Sequence, residues 1–300
     1  MQVRILGSAA GGGFPQWNCN CAGCRAARED DNKVQRRTQS SIAVRGTKGD
    51  WFLVNASPDV RQQLEMLRDE TPDTMRSSPV AGVLLTDGEI DHTAGLTILR
   101  ESTEPLQIYG TDTVREALTE GFSLLQVLKD YCGVQWTAIA PGSTISLGGN
   151  SSLEVEAFLL PGTPPKYMRR TSSDDDWVVG FTFRDRSSDS VVTYAPALAE
   201  LTPSIIERLE SSDCILVDGT FWQNEELLKL GMSNRDALAM GHLPLSGNDG
   251  SLTILSQLSC SRKIFTHINN TNPILFPDSL ERQLVEAAGI EVGYDGLTIE

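Results

Sequence analysis

Apolar residues recur along the chain at two spacings, and the spacings predict the elements. MQVRIL at the start alternates as an opening strand does, and a Gly-rich loop follows it. SSIAVRG and DWFLVNAS read as two strands joined by a turn at Gly46 to Asp50. VRQQLEMLR then places Val60, Leu64 and Leu67 on one helical face. PVAGVLLT is a buried-type strand, DHTAGLTILRES a helix entered from a polar loop, and PLQIYGT another strand. TVREALTEGFSLLQVL is a helix, with Thr111 or Thr113 as its N-cap.

The second half repeats the progression from meandering strands to strand-helix units. TISL, SLEVEAFLL, VVGFTFR, SVVTYA, CILVDGT and KIFTHI are strands, and LAELTPSIIERLESS and DGSLTILSQL are helices. The polar run from Arg169 to Asp176 is expected to be a mobile surface loop, placed to close over a site. With no repeat and no low-complexity linker, residues 1–300 are expected to form one domain, two sheets packed face to face between outer helices.

Charge narrows the partners. A formal net charge of -15 repels phosphate backbones and anionic lipid headgroups, so neither nucleic acid nor a membrane is an expected partner. A small molecule or peptide fits better. The first apolar run is too short for a signal peptide, and no stretch approaches the roughly 18 apolar residues of a membrane span, so a cytoplasmic location is expected. Composition leaves a homodimer open.

Chemistry concentrates in two places. Cys19, Cys21 and Cys24 fall within six residues, with Gly23 permitting a tight reversal. In a reducing compartment that spacing favours a structural zinc ion over a disulfide, and with three thiolates a fourth ligand must come from elsewhere. Cys132, Cys214 and Cys260 are scattered, as small buried thiols are. Gly11 to Gly13 lack the spacing of a phosphate-cradling loop.

The second place is the histidine inventory, which is His92, His242 and His267. A lone histidine is more often structural than functional. Here all three lie where a strand runs out or beside a Gly-rich turn, as does Asp218, and strand ends carry the sites of layered α/β folds. Asp91, His92 and His267 make a two-histidine, one-carboxylate set that leaves coordination positions open, the set iron(II) oxygenases use. With Asp218 as a fourth ligand it would also accept zinc or manganese.

Those residues carry a resemblance. LLTDGEIDHTAGL, residues 84–96, resembles the H-x-H-x-D-H motif of the metallo-β-lactamase superfamily, with Asp87 and Glu89 where the first two histidines stand and Asp91 and His92 retained. THI at 266–268 is similar to that superfamily's final histidine. GH at 241–242 is similar to the acid-base histidine of the tRNase Z and cyclic phosphodiesterase branch. Together with GSAAGGGFPQWNCNCAGCRAAR, NASPDVRQQL, VDGTFW and GHLPLSG, the chain resembles the coenzyme PQQ synthesis protein B family over essentially its whole length.

That resemblance implies an αββα four-layer sandwich, a zinc knuckle at Cys19, Cys21 and Cys24, and a place in pyrroloquinoline quinone (PQQ) synthesis beside other proteins of that pathway. It further implies Fe2+-dependent, O2-using hydroxylation of the tyrosine ring in a cross-linked glutamate-tyrosine precursor derived from the peptide PqqA. In that reading His242 moves a proton or holds the phenol, and Asp87 and Glu89 orient substrate or ligand groups. The chain departs from the superfamily at Thr163, near a missing histidine, and at Ala195-Pro196, in place of an aspartate. At Asn270 the phosphodiesterase branch has the histidine that closes its zinc knuckle, so Asn270 is the candidate fourth position. Two other functions fit the pattern less well: a carrier taking PQQ or its precursor toward the periplasm, and a metal-hydroxide hydrolase. A carrier would tolerate loss of His92 and His267.

Overall fold

The computed structural model describes residues 1–29, 34–47, 49–68, 75–148, 152–168 and 176–300. In chain order its strands are β1 (Gln2–Gly7), β2 (Ser41–Arg45), β3 (Trp51–Val54), β4 (Val80–Leu84), β5 (Leu106–Gly110), β6 (Val134–Ala138), β7 (Thr144–Ser146), β8 (Leu153–Leu159), β9 (Val179–Asp185), β10 (Ser190–Ala195), β11 (Cys214–Asp218), β12 (Arg262–Thr266), β13 (Glu291–Val292) and β14 (Thr298–Ile299). Each strand expected from the apolar pattern is present. The additions are β6, whose VQWTA is only partly buried, and β13 and β14, which are too short for any periodicity to register. Residues 169–175 of the expected polar loop lie outside the described residues.

The chain divides into two compact units. The first comprises Met1–Leu6, Ser41–Ser190 and Gly296–Glu300. Its seven-stranded sheet has the order β14-β1-β2-β3-β4-β5-β6, antiparallel at β1/β14 and β2/β3 and parallel from β3 through β6. β7, β8 and β9 form an antiparallel set in the same unit. All four residues of β3 are buried, as parallel strands covered on both faces require. Leu53, Val83 and Ile108 pack with Val60, Leu96, Val114, Leu118 and Leu128 in one core. Each large apolar side chain so buried contributes about 1.5–3 kcal/mol relative to exposure.

The second unit comprises Gly7–Ser40 and Val191–Asp295. Here β10, β11, β12 and β13 run parallel, with Asp218 of β11 beside Thr266 of β12. That register brings Gly219-Thr220 and His267, the residues just past the two strands, to the same strand ends. Gly219 N donates to the Thr266 carbonyl at 2.7 Å.

Several expected helices are shorter than their apolar patterns. The segment 91–102 is helical only at Ile90–Thr93 and continues as 3-10 turns. Gly95 lies against the Ala56 and Ser57 carbonyls so closely that a Cβ would overlap them, and contact with the backbone, not apolar spacing, shapes the chain there. The segment 113–128 breaks into Asp112–Glu116, a π turn and Leu124–Tyr131. Thr111 is its N-cap, its side chain accepting from Val114 N. The helix expected over 198–212 starts at Pro203, with Thr202 as N-cap and proline in the first turn, where its missing N–H costs nothing. No described helix is long and apolar enough to cross a membrane.

Candidate metal centres and the histidine network

In the second unit the Sγ atoms of Cys19, Cys21 and Cys24 lie within 4.8 Å of one another. Backbone amides point at them: Gln16 N donates to Cys24 Sγ at 3.3 Å, Cys21 N to Cys19 Sγ at 3.4 Å and Cys24 N to Cys21 Sγ at 3.4 Å. Gly23 is required, because a Cβ there would sit 2.9 Å from the Asn270 carbonyl oxygen. The Asn270 side-chain amide caps the cluster, its Nδ2 at 3.0, 3.6 and 3.3 Å from the three sulfurs. Burial pushes the Cys24 thiol up to about 11. Burial opposes ionisation of Cys19 as well, but hydrogen bonds from Cys21, Cys24 and Asn270 outweigh it and lower that thiol. Three converging sulfurs under N–H donors are a donor set that fits a zinc ion, and Asn270 meets them as a hydrogen-bond donor through Nδ2. Cys214 and Cys260 are buried and Cys132 partly buried.

In the first unit His92 lies on the short helix Ile90–Thr93, eight residues beyond the end of β4. Its Nδ1 is 2.7 Å from Asp87 Oδ2, and both side chains are buried. A second bond fixes the carboxylate, from Thr86 Oγ1 at 2.7 Å, and Thr86 in turn accepts from Asn55 Nδ2 at 3.0 Å. Glu89 N donates to Asp87 Oδ1 at 2.9 Å, closing the turn. The Tyr167 hydroxyl donates to the Gly88 carbonyl.

Burial alone would push the His92 ring down and the Asp87 carboxyl up. Their mutual attraction wins, raising His92 to about 9, with Asp91 adding to the effect, and lowering Asp87. Burial, then the charges of Asp87 and Asp91, raise Glu89 to about 7. Asp91 reaches His92 Nε2 at 3.9 Å.

The other two histidines share one network in the second unit. His242 follows Gly241, which adopts a φ of 88°, and its Nδ1 is 2.7 Å from Asp218 Oδ2. His267 Nδ1 is 2.8 Å from Thr220 Oγ1. The two rings stack with centroids 5.3 Å apart. Donor atoms of Asp218, His242 and His267 all lie within 4.8 Å of one another.

Asp218 is already heavily engaged. Oδ1 accepts from Thr220 N at 2.9 Å and Thr220 Oγ1 at 2.6 Å, and Oδ2 from Leu198 N at 2.8 Å and from His242 Nδ1. Those four bonds occupy the usual acceptor positions of a carboxylate. Burial opposes the Asp218 charge, but His242 and these donors hold the carboxyl below its usual range. Its geometry is that of a group orienting His242.

All three imidazoles therefore have Nδ1 against a buried oxygen: Asp87 for His92, Asp218 for His242 and Thr220 for His267. Such outer partners fix the tautomer and leave Nε2 as the coordinating nitrogen. The histidines and carboxylates were visible in the sequence. Thr86, Asn55 and Thr220 were not, because a threonine or asparagine after a strand carries no signal beyond an ordinary turn.

Comparison with known proteins follows the same lines. A family model described as the β-lactamase superfamily domain matches residues 50–268. The chain is 43% identical over 302 residues to coenzyme PQQ synthesis protein B of Methylococcus capsulatus, covering all of this chain and 99% of that one. It is 39% identical to the protein of the same name from Acinetobacter baumannii, with both chains covered in full. The zinc-bound crystal structure of PqqB from Methylobacterium extorquens superposes with a TM-score of 0.90 at 36% identity, over the whole of both chains. A diphosphatase of the PhnP family shares the fold, with a TM-score of 0.68 at 19% identity over 99% of this chain and 96% of that one.

Proposed function

The chain belongs to the coenzyme PQQ synthesis protein B family of the β-lactamase superfamily, and from that membership and its donor sets we propose that it is the iron(II)- and O2-dependent hydroxylase of PQQ biosynthesis. Its substrate is a cross-linked glutamate-tyrosine compound derived from the peptide PqqA, and its place of action is the cytoplasm. The fold is the metallo-β-lactamase-like α/β fold of its relatives.

The observation that carries the reading is the histidine geometry. Asp91, His92 and His267 are the candidate ligands of the active-site metal, and Asp87 holds the His92 ring at Nδ1 so that Nε2 is left to coordinate. Imidazole and carboxylate donors with open positions suit iron(II), though zinc and manganese also accept them. When bound, iron supplies the one-electron chemistry that lets O2 react with a phenol.

The chain's own groups handle protons. His242, held at Nδ1 by Asp218, is partly buried with its ring edge against Phe221, and it is the group we assign to move the phenol proton. Glu89, whose backbone N–H is held by Asp87, is assigned to orient substrate groups beside the metal. Asp87 acts through His92 as a positioning residue.

A zinc ion held by Cys19, Cys21 and Cys24 would be structural, with Asn270 as the candidate fourth position. Zinc has no redox chemistry, so the hydroxylase needs a second metal type where a hydrolase or a carrier does not. Oxygen uptake by the iron-loaded protein separates these readings. Uptake that requires the cross-linked substrate and disappears in His92→Ala and His267→Ala supports the hydroxylase. Tight PQQ binding that survives both substitutions, with no uptake, supports the carrier.

A further inference from the structure

Thr220 stands at the junction of three functional side chains. Its Oγ1 is 2.6 Å from Asp218 Oδ1, 2.8 Å from His267 Nδ1, 2.8 Å from the His267 carbonyl oxygen and 3.2 Å from His242 Nδ1. The residue is 2% exposed. An ordinary turn after a strand explains the Thr220 N bond to Asp218. It does not explain a hydroxyl placed against an imidazole nitrogen.

We propose that Thr220 is a positioning residue that sets which nitrogen of His267 carries the proton, and so presents Nε2 for metal binding. The assignment follows from counting protons. The hydroxyl has one, and a carboxylate oxygen at 2.6 Å and a carbonyl oxygen at 2.8 Å compete for it with the imidazole nitrogens at 2.8 and 3.2 Å. The carboxylate is nearer and charged, which makes the stronger bond. With the proton donated to either oxygen, the hydroxyl oxygen faces His267 Nδ1 with a lone pair, so Nδ1 must carry the hydrogen. A neutral ring protonated at Nδ1 has its lone pair on Nε2.

The backbone holds the ring in place for this. His267 adopts a φ of 55°, the left-handed region that few side chains enter. Asn269 N donates to the Thr220 carbonyl at 3.1 Å, and Asn272 Nδ2 donates to the Gly219 carbonyl at 2.9 Å. The residues following His267 are thereby tied to the turn that carries Thr220. Asp218 then governs both rings of the second unit, His242 directly and His267 through the threonine hydroxyl. The inference rests on His267 being a metal ligand, but not on the metal being iron or on oxygen being used.

The test is the tautomer itself. Long-range proton-nitrogen spectra of metal-free protein labelled with nitrogen-15 histidine, recorded at mildly alkaline pH, report which nitrogen of His267 is protonated. Wild type and Thr220→Ser should both show Nδ1–H. Thr220→Val keeps the shape and loses the hydroxyl, and His267 should shift toward Nε2–H. Affinity for manganese(II), which thiolates disfavour, should fall about 10–100-fold in Thr220→Val and recover in Thr220→Ser. A wild-type His267 protonated at Nε2, or a Thr220→Val spectrum identical to wild type, overturns the proposal. If Thr220→Val does not fold, the wild-type tautomer decides. Expected tautomers together with absent oxygen uptake would sink the oxygenase reading and leave this one standing.

Discussion

Asp87 and His92 form a buried carboxylate-imidazole pair, Oδ2 to Nδ1 at 2.7 Å, in the segment that follows β4. Asp87 thus holds the His92 ring at Nδ1. Removing its charge while keeping its shape isolates that role. Asp87→Asn is expected to lower active-site metal affinity about 10–100-fold, the usual cost of losing such an outer partner. Titration of the metal-free site with manganese(II) measures it. Unchanged affinity would make Asp87 a fold element only.

The same pair makes the metal-free protein sensitive to base. The folded His92 value of about 9 exceeds the ordinary 6.5. The unfolded chain therefore holds fewer protons between those values, and stability falls as pH rises. The contribution is fully present below about 6.5 and is lost on passing about 9. Unfolding free energies of the metal-free protein, from urea titrations, should decline across that window by about 1.4 kcal/mol per pH unit for one proton. His92→Gln should flatten the decline.

At the knuckle, Gly23→Ala places a Cβ 2.9 Å from the Asn270 carbonyl oxygen. Backbone must move to relieve it, at about 1–3 kcal/mol by analogy with overpacked cores. Purified Gly23→Ala is expected to carry less than one zinc per chain, while wild type retains it through dialysis. Metal analysis by mass spectrometry reads this directly.

Asn270→Ala removes the amide that faces all three sulfurs. Zinc should then exchange faster with a competing chelator, and Asn270→His should restore retention by supplying an imidazole. Equal retention in Asn270→Ala would assign the fourth position elsewhere.

The sequence carried the strands well, because buried parallel strands such as CILVD are continuous apolar runs that few other structures need. It carried the helices less well. DHTAGLTILRES has the spacing of one helix, but Gly95 meets the carbonyls of Ala56 and Ser57, residues distant in sequence. Apolar spacing cannot register a contact of that kind.

The candidate ligands were legible for a similar reason. Histidine is rare in this chain: His267 directly follows β12, His242 follows the Gly241 turn, and His92 sits on the short helix after β4. What fixes the rings was not legible. Asp218 reads as a ligand by type and position; that it also accepts four hydrogen bonds and holds His242 was not legible. Thr220 and Thr86 look like turn residues until their hydroxyls are placed beside Asp218 and Asp87.

The measurement that bears most directly on the central claim is isotope incorporation. The iron(II)-loaded protein is given the cross-linked glutamate-tyrosine substrate under oxygen-18 gas, and the product is weighed by mass spectrometry. Heavy oxygen on the tyrosine ring, absent from the His92→Ala and His267→Ala reactions, is the expected result. A product labelled only from water, or an unmodified ring, would contradict the hydroxylase account.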